Sequence, residues 1–389
     1  MSRQRAIIAF CHQMPHKILF ILFALLRDTA AQPATPVFSV KQVLDLPPTP
    51  GNPRNTEGAF VTLKDGRVLF AYTKFTGGGS DHDAATIAAR YSSDHGLTWT
   101  PDDRTLVGRE GNMNAMSVSL LRLQDQRLAL FYLRKNSLAD CHPYLRYSSD
   151  EGLTWTQPLS AIAEPGYYVL NNDRVVQLKS GRLVMPVALH QPIDGKFSPR
   201  GVAITYVSDD TGRTWRRTAV LNPPPADTGA WRAGFQEPGV VELKDGRLWM
   251  FIRTQMGSQY VSYSRDRAET WSPPVPSTIA SPLSPASVKR LPGRGDLLMV
   301  WNDHSAIGDD TKATAKTGGK RTPLSIAISK DNGQHWQKVH AIRNAPDGWY
   351  CYTAIHFVKD QVLLAFASGG SGLPGLSRME LVRFRWKGL

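Results

Sequence analysis

Cysteine is nearly absent from this chain: three residues among 389, at positions 11, 141 and 351. That excludes a disulfide-built scaffold and leaves Cys141 and Cys351 as one distant pair or, the reading preferred here, two free buried thiols. Long apolar runs are scarce as well. The run at residues 18–26 holds nine apolar residues, too few to span a bilayer as a helix. Arg3, Arg5 and Lys17 precede it and Thr29, Ala30 and Ala31 follow it, the arrangement of a secretory leader over residues 1–31. A secreted or periplasmic chain without stable membrane insertion is therefore expected; Arg27 and Asp28, awkward before the cleavage site, fit a start codon set too early. Blocks of like charge are also missing. The net charge is +13, and +10 once the leader's four Lys/Arg and one Asp are removed, yet the cations are dispersed and accompany no nucleic-acid motif. Such a surface suits anionic glycans or an anionic envelope rather than nucleic acid.

What the chain has is repetition. An eight-residue box, Ser-x-Asp-x-Gly-x-x-Trp or a near variant, begins at Ser92, Ser148, Ser208, Ser264 and Ser329, at intervals of 56, 60, 56 and 65 residues. Each copy follows an apolar strand. Asp two residues before Gly suits a tight turn, with Asp accepting local backbone bonds, Gly taking positive φ, and Trp returning to pack over the turn. A catalytic site needs unlike groups converging once, so aspartates repeated in every unit read as structural.

A second repeat, two apolar strands around a polar turn, occurs six times, with turns at residues 64–67, 124–127, 179–182, 244–247, 292–296 and 359–361. Five of these hairpins lead into a box; the sixth leads instead into residues 379–386. The spacing predicts an all-β fold, a six-bladed β-propeller with four-stranded antiparallel blades, forming a single domain over residues 36–389. Residues 38–46 are expected to add a strand to the last blade and so remove exposed edges.

Function is sought where the units differ. Glu237, in Gln236-Glu237-Pro238, opens a hairpin that ends at Arg253, sixteen residues on, so both side chains return to one end. Arg321-Thr322-Pro323 leads into the fifth box, and Tyr352 lies in residues 349–354 of the unboxed sixth unit. A Gly-rich loop over residues 77–83 carries Asp81 and Asp83. With the boxes, these segments resemble the sialidase (neuraminidase) superfamily over essentially the whole mature chain.

The resemblance implies an exo-α-sialidase-like retaining glycosidase without metal or cofactor, acting on sialylated or other acidic glycans. Tyr352 stands at the nucleophile position, Glu237 at that of its base, and Arg253 and Arg321 at those of the substrate carboxylate's ligands. Asp81 fits the acid/base position better than Asp83 by its distance to the box serine. The chemistry is coherent. A sialic acid carries its carboxylate on the anomeric carbon, so a neutral phenol approaches more easily than an anionic nucleophile, and a phenol of pKa near ~10 needs a base beside it. Planar guanidinium forks suit the carboxylate.

One departure stands out. Where the family opens its first blade with Arg-Ile-Pro, this chain reads Asn55-Thr56-Glu57-Gly58, so Thr56 or Glu57 occupies the first arginine's place. Arg54 and Arg174 are read as substitute cations or as braces. Glu57 is a candidate hydrogen-bond acceptor for a different sugar, and Asn172 a ligand for sugar hydroxyls or for strand-end backbone. Residues 80–83 read as a solvated turn rather than a metal loop, and residues 311–321 as a polar loop beside Arg321. Two other readings accompany the enzyme: a non-catalytic glycan-binding propeller, and a hydrolase or lyase acting on another acidic polysaccharide.

Overall fold

Short apolar strands punctuated by polar turns leave no helix among the described residues. The computed structural model describes residues 39–192, 196–226, 231–305 and 320–386. The leader at 1–31 and the loop at 311–319 lie outside them.

The first unit comprises β2 (Arg54–Thr62), β3 (Val68–Phe75), β4 (Ala85–Ser92) and β5 (Arg104–Val107), and β1 (Lys41–Leu46) precedes it. The second comprises β6 (Asn114–Arg122), β7 (Leu128–Lys135), β8 (Cys141–Ser148) and β9 (Leu159–Ser160). After the short β10 (Tyr167–Val169), the third comprises β11 (Val176–Gln177), β12 (Leu183–His190), β13 (Gly201–Ser208) and β14 (Arg216–Leu221). The fourth runs through β15 (Gln236–Glu242), β16 (Leu248–Arg253), β17 (Ser258–Ser264) and β18 (Val275–Ala280). The fifth holds β19 (Ser287–Arg290), β20 (Leu297–Asn302), β21 (Leu324–Ser329) and β22 (Gln337–Arg343). The last holds β23 (Cys351–Val358), β24 (Gln361–Gly370) and β25 (Leu373–Arg385).

Units one, four and five are separate antiparallel four-stranded sheets, and β1 pairs with β25 to give the last unit its fourth strand. Units two and three depart from the expected pattern. They merge into one nine-stranded sheet because β10 lies parallel to β8 and antiparallel to β12. Cys141 and Cys351 are both free and buried.

The boxes work as turns, with one addition. In the second, the Gly152 amide donates to Ser148 Oγ at 2.8 Å, Ser148 Oγ donates to Asp150 Oδ1 at 2.7 Å, and the Thr154 amide donates to the same oxygen at 2.9 Å. Thr154 foremost, then Ser148, hold Asp150 down at about 2. The box glycines have φ of 81–95°, and Ala268, which replaces Gly in the fourth copy, adopts 72°.

The tryptophans do not merely cover their own turns. Trp155 packs on a cluster that unites Leu69 and Ile87 of unit one with Leu128 and Leu130 of unit two, and Trp336 joins the corresponding seam of units four and five. The glycines press on the same seams: a Cβ at Gly96 would lie 2.5 Å from Leu363, and one at Gly212 would lie 2.7 Å from Leu145. Each box is thus a clasp onto the preceding unit, which explains why its Gly and Trp recur together. The sixth seam brings Phe60, Phe70 and Tyr72 of the first unit against Ala354, Leu363 and Leu381 of the last, with Trp99 packed on them.

Candidate active site

In an undisturbed strand alternate residues face opposite ways. The first strands of four units break that rule at one matching position. Register shifts fall at Thr56/Ala59, Met116/Ser119, Gln236/Gly239 and Cys351/Ala354. Within these bulges Glu57, Ser117, Glu237 and Tyr352 have φ of 52°, 56°, 45° and 55°. Positive φ costs a side-chain-bearing residue on the order of 1 kcal/mol or more and is tolerated where surrounding structure enforces it. A bulge re-aims its side chain. Here it aims all four into one cavity of about 280 Å³.

The last residue of the second strand supplies a further wall position: Lys135 from β7, His190 from β12 and Arg253 from β16 all line the cavity. Tyr167 of β10, Phe197, Arg321, Asp81, Asn171 and Gln236 complete its polar and aromatic lining.

The sequence-nominated residues divide into groups. Tyr352 donates to Glu237 Oε1 at 3.1 Å, and Arg253 Nη1 donates to Glu237 Oε2 at 2.6 Å. The Arg321 guanidinium lies 5.5 Å from the centre of the Tyr352 ring and 5.1 Å from that of Trp349, and its Nη1 contacts Cys351 Sγ at 2.8 Å. Nε of both Arg253 and Arg321 is buried without a hydrogen-bond partner. Burial works to raise the pKa of Glu237, but Arg253, then Arg321 and Arg174, outweigh it and hold the carboxylate below its ordinary range. Burial, reinforced by Glu237, pushes the Tyr352 phenol well up.

Asp81 lines the same cavity with its side chain 57% exposed. Arg54, which is 4% exposed, donates to Asp81 Oδ1 at 2.6 Å and sits 3.8 Å from Glu57. Partial desolvation works to raise the Asp81 pKa, but Arg54 and Lys135 outweigh it and hold the carboxylate below its usual range.

Glu57 behaves oppositely. It accepts a hydrogen bond from Ser117 Oγ, and burial, aided by Asp81 and Glu237 against the pull of Arg54, raises it to about 8. The folded chain therefore keeps on Glu57 a proton that the unfolded chain loses above an ordinary Glu value, so stability falls as pH rises from 4.5 towards 8. Glu57→Gln is expected to melt level with the parent near pH 4 and to be more stable at pH 9, on the order of a few kcal/mol, in parallel thermal melts.

Arg174 and Asn172 go elsewhere. Arg174 lines a separate cavity of about 340 Å³ with Asp173, Phe251 and Lys289, and donates to the Ala286 carbonyl at 2.6 Å. Asn172 Nδ2 donates to the carbonyls of Gly58 at 2.8 Å and Tyr352 at 3.2 Å, bracing two of the bulges. Both act on backbone in this structure, where sequence left a ligand role open. Asp83 accepts from the Ser80 amide at 2.7 Å, within the loop's own turn.

Sequence reasoning passed over Ser117, Lys135, Tyr167, His190 and Phe197. A signal existed for the first: Glu57, Ser117, Glu237 and Tyr352 each precede the aspartate of their hairpin turn, Asp65, Asp125, Asp245 and Asp360, by eight residues. Lys135 and His190 carried a weaker one, as the residues that close a second strand. Tyr167 and Phe197 lie outside the repeat and had none.

The profile of the BNR repeat-like domain family matches residues 66–364. A sialidase of Micromonospora viridifaciens is 24% identical over 319 residues, covering 74% of this chain and 46% of that protein. The chain spans less than half the length of the curated relatives it matches. Among solved structures, a Dyadobacter fermentans protein of unknown function superposes with a TM-score of 0.68 at 18% identity, covering 89% of this chain and 99% of that one. The NanB sialidase of Streptococcus pneumoniae does so with a TM-score of 0.66 at 15% identity, covering 90% of this chain and 71% of that one. At these identities the structural likeness speaks for the fold.

Proposed function

This chain belongs to the sialidase and BNR-repeat superfamily, and on that premise we propose that it is a secreted retaining glycosidase releasing a terminal sialic acid or related acidic sugar from glycans. The observation that carries the reading is the Tyr352–Glu237 pair, 3.1 Å apart, in the cavity that Asp81, Arg253 and Arg321 also line.

Arg253 and Arg321, which both line the cavity, hold the substrate carboxylate through their guanidinium groups. Glu237, kept ionised by its arginines, takes the phenolic proton as Tyr352 Oη bonds to the anomeric carbon. The glycosidic C–O bond breaks, its electron pair leaves with the departing oxygen, and Asp81 protonates that oxygen. Asp81 then draws a proton from water, whose oxygen displaces Tyr352 with net retention, and Glu237 returns the proton to the phenolate. Arg54 and Lys135 favour ionised Asp81, which suits the second step and makes the first depend on acid pH for poor leaving groups.

The scaffold fits this reading as a six-bladed propeller in one domain over residues 36–389, with β1 completing the last blade and residues 1–31 directing export. Apolar clusters shared by consecutive units, with one joining the last unit to the first, support closure.

Purified protein is expected to release the aryl alcohol and a free sugar of retained anomeric configuration from an aryl α-sialoside, followed by fluorescence and NMR. The engagement of Asp81 by Arg54 favours one second reading, a glycan-binding propeller without turnover. Saturable sialoside binding with no product at high protein concentration would establish it instead.

A further inference from the structure

The cavity's charges do not cancel. Arg253 is paired with Glu237, and Arg54 is paired with Asp81. The Glu57 carboxyl is engaged by Ser117. Lys135 is left over. It is 2% exposed and lines the cavity, and among the described residues no carboxylate approaches its ammonium within 4.0 Å. Its neighbours are the Asp81 backbone carbonyl at 2.6 Å, Met116 Sδ at 3.5 Å and the Tyr167 ring, centred 5.4 Å away. None of these contacts is to a carboxylate: that of Asp81, which Lys135 helps hold ionised, lies beyond 4.0 Å and is already bonded by Arg54. A buried ammonium carries a desolvation penalty that one carbonyl and a ring face offset only in part.

Among the described residues that line the cavity, Arg321 is the other Lys or Arg with no carboxylate within 4.0 Å, and the reading above assigns it, with Arg253, to the substrate's carboxylate. Lys135 closes the second strand of unit two, and Arg321 precedes the third strand of unit five. In a ring of six those units stand opposite each other. One carboxylate at Arg321 therefore leaves Lys135 unanswered on the far wall.

We propose that the site takes a dianionic substrate: an acidic sugar whose carboxylate is held by Arg253 and Arg321 and whose second anionic group, a sulfate or phosphate ester, is bound by Lys135. The inference rests on the glycosidase-type reading of the cavity. The ester can sit on the acidic sugar itself or on the leaving group, since Asp81, which faces the departing oxygen in that reading, presents its own carbonyl to Lys135. The two sources share their chemistry and differ in where the ester is attached.

The test uses the full-length Tyr352→Phe protein, so that binding is read without turnover, and three probes by titration calorimetry. These are a plain α-methyl sialoside, the same sugar O-sulfated on its ring, and a sialoside whose aglycone carries the sulfate. One sulfated probe is expected to bind about tenfold or more tighter than the plain sugar, the range of a charge-assisted contact. Adding Lys135→Gln is expected to bring that ratio close to one, and Lys135→Arg to keep it. Lys135→Arg also controls for folding, because both substitutions disturb the bond to the Asp81 carbonyl. If Lys135 only positions the Asp81 loop, Lys135→Gln weakens all three probes alike and the ratio survives, which overturns the proposal. Binding of the plain sialoside with no gain from either sulfate overturns it while sparing the glycosidase reading. Failure of all three probes to bind overturns both.

Discussion

Tyr352→Phe is expected to lower kcat on an aryl sialoside by about 10³-fold or more, roughly 4 kcal/mol of transition-state stabilisation, while leaving the melting temperature almost unmoved. The substitution removes one oxygen. In the folded protein that oxygen donates to Glu237 and sits 3.5 Å from Arg253 Nη1, whereas Glu237 keeps its 2.6 Å bond to Arg253 without it. The lost hydrogen bond is worth about 1 kcal/mol of stability. What cannot be replaced, on the proposed reading, is the nucleophile, since Phe has nothing to bond to the anomeric carbon. Wild-type turnover in the variant, measured by initial rates at saturating substrate, would remove Tyr352 from the chemistry.

Glu237→Ala is expected to do damage on both counts. Turnover is lost because the phenol, already pushed up by burial, has no base. Stability is lost as well, by about 3–5 kcal/mol, because Arg253 is left as a buried guanidinium without its counter-charge. The sign of the pH dependence follows from the depressed Glu237 pKa. Its contribution to stability is present above the unfolded value of 4.5 and is lost as pH falls through the lower folded value. The gap between parent and Glu237→Ala in denaturant titrations is therefore expected to narrow in acid. A variant as stable as the parent at pH 7, or one that retains turnover, contradicts the assignment. The pair of substitutions separates the roles: one affects chemistry alone, the other chemistry and fold together.

Much of this molecule was legible in its sequence, for a local reason. Box turns such as residues 148–155 close through bonds between residues no more than four apart, so their chemistry is written in consecutive letters. The hairpin turns and apolar strands are equally local, and six of them in series specify six units. Glu237 and Arg253 were legible because one hairpin joins them. The merging of units two and three was not, because β10 pairs across two units and carries no repeated motif.

The site resisted a sequence reading where backbone and long-range charge decide it. Counting alternate residues along β2 or β6 gives the wrong face for Glu57 and Ser117, since bulges reset the count. Arg54 meets Asp81 across 27 positions, and Asn172 reaches Tyr352 across 180; neither pairing follows from spacing. Glu57, where the resemblance expects an arginine, reads in sequence as a candidate hydrogen-bond acceptor for a sugar, but the folded environment holds it beside Ser117 and shifts it to about 8.

By itself, then, the sequence determined an all-β chain of six similar units and the side chains by which those units differ, because turns, strands and boxes are set by neighbours along the chain. Tertiary structure decided which of the differing side chains meet. It sent Arg174 to a second cavity, paired Arg54 with Asp81, and left Lys135 buried with no carboxylate within 4.0 Å among the described residues, because packing alone determines which charges separated in sequence come to share a cavity.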